Sequence, residues 1–281
     1  LVKLSIMKKL VCLLALPVVF FITAFTHRTI SWVAIGDSIT YLNDHTDETG
    51  NRLTKGYLTQ VTQRLPYIHY TNQGHNGWTS AKIAKAIEKL GIPPADVYSV
   101  FLGTNDWWHS NHIGSWSDYQ NNTGDSTVYG SFRIILDKLH SLKKDATIIL
   151  ITPMPRGDFV YIRDSRNNAW GSYKDKDGQS LEQVADAIRA IAEHERLKLI
   201  DLYHERKLAV PHLVRFKRLK DPQTGQYRNY PYPDYTTIPF DTAGEYPYPV
   251  EAMDMTCDGL HPSDKGDALI AKRLVKILKK L

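Results

Sequence analysis

Trp32-Val33-Ala34-Ile35-Gly36-Asp37-Ser38-Ile39-Thr40 joins an apolar run to a glycine, an acid and a hydroxyl. The run has strand length and lacks strict apolar/polar alternation, which suits a strand buried on both faces of a parallel sheet. Beginning at Ile30, it is the first of five such runs; the others are Ile68 to Asn72, Val97 to Leu102, Thr147 to Thr152 and Lys198 to Leu202. Helical patterns lie between or after them, at about 54 to 65, 79 to 90, 127 to 144, 179 to 196 and 263 to 280. The fourth keeps Leu181, Val184, Ala185, Ile188, Ile191 and Ala192 on one face at helical spacing. Ser263 and Asp264 read as caps of the last helix, and Ser80 as the cap of the second. Strand alternating with helix predicts an α/β fold, a three-layer α/β/α sandwich around a five-stranded parallel sheet with right-handed crossovers.

Two stretches break the alternation, at about 153–178 and 208–255. The first is polar and carries Arg156, Tyr161, Arg163, Trp170 and Tyr173; the second contains Tyr227-Arg228-Asn229-Tyr230-Pro231-Tyr232-Pro233-Asp234-Tyr235. Proline at alternate positions forbids a regular helix there. Both leave the C-terminal ends of predicted strands, where open α/β sheets bind ligands. They read as irregular loops that wall a substrate cleft, with a structural cover for the sheet edge as the alternative.

Ser38 stands where the first strand ends, and Asp258-Gly259-Leu260-His261-Pro262-Ser263 stands near the C-terminus. A serine hydroxyl needs a base within hydrogen-bond reach, and the base needs its second ring nitrogen held. Asp258 and His261 are three residues apart, so one turn can set the carboxylate beside Nδ1 and leave Nε2 for Ser38. Asp254 is the competing partner for the histidine. The order Ser, Asp, His is one that serine hydrolases use.

Two further fragments complete a set: Asn72-Gln73-Gly74-His75-Asn76-Gly77-Trp78-Thr79 and Gly103-Thr104-Asn105-Asp106. With them the chain resembles the SGNH hydrolases, or GDSL-type esterases and lipases, over about residues 31 to 275. The family's four signature residues are matched by Ser38, Gly77, Asn105 and His261. The resemblance implies a flavodoxin-like architecture and an oxyanion hole built from the N–H of Ser38, the N–H of Gly77 and the side-chain amide of Asn105. Glycine suits a backbone donor that substrate must approach closely, and an asparagine amide donates at any pH. Gly74 is the rival for the glycine role. Asp37 and Asp106 read as loop anchors that accept backbone N–H groups rather than as second acids. Tyr41, Trp78, Trp107 and Trp108 flank the blocks and, with Arg156, are the candidate substrate contacts.

Met7-Lys8-Lys9 followed by the uncharged, mostly apolar Leu10 to Phe25 reads as a signal peptide over residues 1–26, ahead of a hydrolase domain over 27–281. A retained N-terminal anchor is the alternative, and the only route to a membrane. The formal charge is +5; removing Lys3, Lys8 and Lys9 leaves +2. Much of the remaining excess sits on the last helix as a solvated face, so no nucleic-acid partner is expected. Without Cys12, Cys257 has no partner for an intramolecular disulfide and reads as a small buried packing residue. His109 and His112 lack further ligands at convincing spacing, so no metal is assigned, and the serine chemistry calls for no cofactor. The expectation is a secreted or periplasmic serine esterase acting on short, chiefly acetyl, esters of small molecules or polysaccharides, with carbohydrates the preferred substrate class. A lipase, lysophospholipase or thioesterase of the same fold is the alternative, and a non-catalytic carbohydrate-binding relative a more distant one.

Overall fold

The computed structural model describes residues 28–281, so the signal-peptide reading and Cys12 lie outside the described residues. The strands are β1 (Ile30–Gly36), β2 (Ile68–Gly74), β3 (Val97–Phe101), β4 (Thr147–Ile151), β5 (Phe159–Tyr161), β6 (Asp164–Ala169), β7 (Lys198–Ile200), β8 (Lys217–Lys220) and β9 (Tyr227–Tyr230). The helices are α1 (Ser38–Tyr41), α2 (Tyr57–Arg64), α3 (Ser80–Ala86), α4 (Thr104–Trp108), α5 (Trp116–Gln120), α6 (Val128–Leu142), α7 (Leu181–His194) and α8 (Asp264–Leu278). Five strands form one parallel sheet in the order β2-β1-β3-β4-β7. That order is flavodoxin-like, and its switch point opens between β1 and β3.

The three central strands β1, β3 and β4 are apolar on both faces because each feeds two cores. Val33, Ile35, Val100 and Leu150 pack with α3, α6 and α7, the last through Leu181, Val184, Ile188 and Ile191. Trp32, Ala34, Phe101, Ile149 and Ile151 pack on the opposite side with α2 and α8. Local chemistry sets the helix starts. Ser180 and Gln183 form a reciprocal capping box on α7, and the Ser263 hydroxyl accepts the Gly266 N–H on α8. At α3 the cap is Thr79, which accepts the Lys82 N–H, and not Ser80. Ser80 lies one residue inside the helix, and both its N–H and its hydroxyl are given to Asp106 instead.

Neither insertion is structureless. The first carries the antiparallel hairpin β5-β6, and the second carries β8-β9 followed by short 3-10 turns. The two meet in a small separate core of Val160, Val214, Leu219, Tyr235 and Tyr248. Beside it, buried Lys217 pairs with Asp158 at 2.8 Å, with Tyr235 and Tyr248 ring faces within 6 Å. The second insertion thus mainly braces the first, which alone forms a full wall of the cleft described next.

Candidate active site

The site occupies the sheet's switch point, at the carboxyl ends of the central strands. Ser38 is the first residue of α1, directly after β1, and the Asp37 carboxylate holds that turn by accepting the Ile39 N–H at 2.9 Å. Being first, the Ser38 N–H has no acceptor within its own helix. The Ser38 hydroxyl lies 2.9 Å from His261 Nε2, and His261 Nδ1 lies 2.7 Å from Asp258. An ionised carboxylate can only accept, so Nδ1 carries the ring proton and Nε2 turns its lone pair to the serine. The loop that presents the histidine is itself tied down. Asp258 accepts the N–H groups of Leu260 and His261 at 3.0 and 2.7 Å, and the Cys257 N–H reaches the His261 carbonyl at 2.9 Å. Phe159 from β5 meets the imidazole edge-on, with ring centres 5.3 Å apart. Asp254 faces away and pairs with Lys265 on the surface.

Gly77 and Asn105 line the same cavity as Ser38 and His261, a cleft of about 420 Å³. Gly77 adopts φ +70°, a left-handed conformation that disfavours other residues, and nothing lies within 4 Å of the place a Cβ would take. The space beside its Cα is therefore open to close approach by a substrate. Gly74 is absorbed by packing: a Cβ there would fall 2.2 Å from the Tyr41 backbone nitrogen, so the residue serves the contact between β2 and α1. Asn105 gives one amide N–H at 3.0 Å to the carbonyl of Trp78, the residue after Gly77, which fixes the plane of its amide. Ser38, Asn105, Asp258 and His261 each keep less than a tenth of their surface exposed.

Asp37 and Asp106 both anchor loops. Burial raises the Asp37 carboxyl to about 6, against the opposing pull of the Ile39 N–H and the His261 charge. Burial also raises Asp106, although the Ser80 N–H and hydroxyl and Asn111 offset part of the effect. Cys257 is buried, with its thiol pushed well above the usual range by desolvation. The structure divides the expected substrate contacts. Trp108 and Arg156 line the cavity. Trp107 does not: it is fully buried in the core, with its indole N–H donated to the Gln179 carbonyl at 2.9 Å. Trp78 packs on that core and stacks on His75, while Tyr41 stacks on His45 and gives its hydroxyl to Glu48; neither reaches the cavity lining. Residues that sequence reasoning did not single out take their place: Leu42, Glu48 and Arg52 on one side, Phe159, Ile162 and Asn168 from the first insertion, and Tyr246 from the second. For the three in the first insertion the signal was that segment's polar, aromatic character; the others carried none.

The sheet thus carries a serine, an imidazole and a carboxylate in hydrogen-bonded series at its switch point. The sequence profile of the GDSL-like lipase/acylhydrolase family matches residues 34–269, and the chain belongs to that family. Among solved structures, one described as a possible lipase from Chitinophaga pinensis is 56% identical, with TM-score 0.88 over 89% of this chain and 98% of that one. A protein from Lactobacillus plantarum shares the fold at 19% identity and TM-score 0.60, over 90% of this chain and 98% of its own. Comparison with curated proteins returns no match.

Proposed function

We propose that the chain is a secreted serine esterase that removes short acyl groups, acetyl above all, from carbohydrate esters through an acyl-enzyme. The hydrogen-bonded series from Ser38 through His261 to Asp258 is the observation that carries this reading. Ser38 Oγ adds to the ester carbonyl as His261 Nε2 takes its proton. The resulting oxyanion receives the N–H groups of Ser38 and Gly77 and the free amide hydrogen of Asn105. The intermediate collapses with loss of the alcohol, which leaves with the proton held on His261. Water, deprotonated by the same nitrogen, then releases the acid and restores Ser38. Asp258 keeps the imidazole in the productive tautomer and stabilises its transient charge.

The acetyl preference rests on the cleft's size and on its mixed polar lining, Asn168, Arg52 and Arg156 facing Trp108. Export rests on the basic start and apolar run of residues 7–25. A lipid-directed reading draws on one comparison, the possible lipase at 56% identity, and on the apolar patch of Leu42, Phe159, Ile162 and Leu260. A fluorophosphonate should label Ser38, and labelling elsewhere removes the mechanism. Rates on 4-nitrophenyl esters separate the substrate readings. Acetyl should outrun acyl chains of eight or more carbons, whereas a steady rise of kcat/KM, up to about 0.8 kcal/mol per buried methylene, would favour lipid esters.

A further inference from the structure

The proposed acyl transfer leaves the Arg156 guanidinium unused. The residue is 1% exposed and lines the cavity with Ser38, Asn105 and His261. Its backbone is engaged, the N–H with Ser172 Oγ at 3.0 Å and the carbonyl with the Ser172 N–H at 2.8 Å. Its guanidinium is not. Nε and Nη2 are buried and find no hydrogen-bond partner among the described residues, and the side chain forms no ion pair there. The cation rests instead on two indoles, 5.4 Å from the Trp108 ring centre and 5.6 Å from that of Trp107. Ring faces hold a guanidinium from above and offer no acceptor to its in-plane N–H groups.

The acids whose charge reaches Arg156 are committed to other donors. Asp258 serves His261 and two backbone N–H groups. Asp158 accepts the Gly171 N–H at 2.7 Å, the Tyr173 hydroxyl and Lys217 at 2.8 Å. Asp37 accepts the Ile39 N–H. Desolvation lowers the guanidinium to about 10, so it remains a cation at neutral pH. A buried, charged donor with no acceptor is costly, and an arginine kept only for packing would spend its N–H groups on nearby carbonyls. A second guanidinium, Arg52, lines the same cavity with its Nε also unpartnered, although its Nη2 reaches the Tyr248 carbonyl at 3.1 Å. Glu48 is the opposing charge on the lining, and it already accepts the Tyr41 hydroxyl at 2.9 Å.

We propose that Arg156 is an anion subsite beside Ser38, and that the esters taken by this site carry a carboxylate on the sugar that bears the acyl group. The proposal rests on the esterase reading for its substrate but not for its binding partner. A guanidinium without acceptors gains a charge-assisted N–H···O bond from a carboxylate, which a neutral sugar cannot supply. Trp108, which holds the same cation, also lines the cavity and adds apolar contact beside it.

The experiment measures binding without turnover. In the full chain with Ser38→Ala, galacturonate should bind about tenfold to hundredfold more tightly than galactose, the range of a charge-assisted hydrogen-bonded pair. Adding Arg156→Gln should bring the ratio close to one. Equal binding of the two sugars by Ser38→Ala, or a preference that survives Arg156→Gln, overturns the proposal. Should the double variant not fold, galacturonate against its methyl ester decides, since the ester keeps the shape and removes the charge; equal binding again overturns it. Glycerol 3-phosphate binding more tightly than galacturonate would overturn the carboxylate assignment in favour of a phospholipid. If the wild type releases no acetate from acetylated sugars while Ser38→Ala keeps its uronate preference, the esterase reading falls and the subsite stands.

Discussion

Asp258→Asn tests the site most sharply, because one atom changes while the shape stays. The carboxylate uses Oδ1 for the N–H groups of Leu260 and His261, at 3.0 and 2.7 Å, and Oδ2 for His261 Nδ1 at 2.7 Å. An asparagine keeps its carbonyl oxygen on the two backbone donors, so the turn should hold and melting should change little. Its NH2 then faces Nδ1 and donates to it. That drives the ring proton to Nε2, where it points at Ser38 and cannot accept the serine proton. The expected loss is about 10⁴-fold in kcat, or roughly 5 kcal/mol of barrier at about 1.36 kcal/mol per decade. Asp254→Asn is the matched control. Asp254 pairs with the exposed Lys265, and a surface pair contributes about 0–1 kcal/mol, so turnover should stay within about twofold of wild type. Initial rates on 4-nitrophenyl acetate, with thermal melts followed by circular dichroism, give both readings. If Asp258→Asn keeps more than about a tenth of wild-type kcat, or Asp254→Asn matches its loss, the pairing argued from these distances is refuted.

Asn105→Ala should lower kcat by roughly 10²–10³-fold with KM nearly unchanged, as expected of a donor that acts on the transition state; a change confined to KM in steady-state kinetics would contradict that role. Trp107→Ala should cost about 3–5 kcal/mol in urea unfolding because it empties a core site, whereas Trp108→Ala should cost less and act mainly on KM; the reverse ranking would show the two indoles wrongly assigned. Asp37 has a folded value of about 6 against 3.8 unfolded, so the native state holds the extra proton between those values. Wild-type stability should therefore fall as pH rises from about 4 to 6 by up to about 3 kcal/mol and then level off. Asp37→Asn, which still accepts the Ile39 N–H, should match wild type near pH 4 and exceed it at pH 8; a stability difference that does not vary with pH in denaturant titrations would refute the assignment.

The sheet was legible in the sequence because its cause is local. The central strands β1, β3 and β4 are mostly apolar runs, and α3, α6, α7 and α8 each begin on a hydroxyl cap. The pairing of Asp258 with His261 was legible for the same reason, since one turn spans them. Where two local solutions competed, sequence chose wrongly: Thr79 and Ser80 can both cap α3, and the buried Asp106 carboxylate, twenty-six positions downstream, claims the second. The meeting of Ser38 with His261 spans 223 positions and exists only because β1 and the loop before α8 end on the same side of the sheet. Trp107 and Trp108 are neighbours in sequence, yet a helix turns about 100° per residue, so one enters the core and the other the cleft. Nothing in the residue string separates them, nor tells that Arg156 is buried with its donors unspent while Lys217 has found Asp158. Periodicity, caps and short turns are properties of neighbouring residues, so the sequence by itself determined the five strands of the main sheet, the longer helices around it and the order of the signature blocks. Burial and charge pairing depend on what distant segments bring to the same place, and only the tertiary structure decided those.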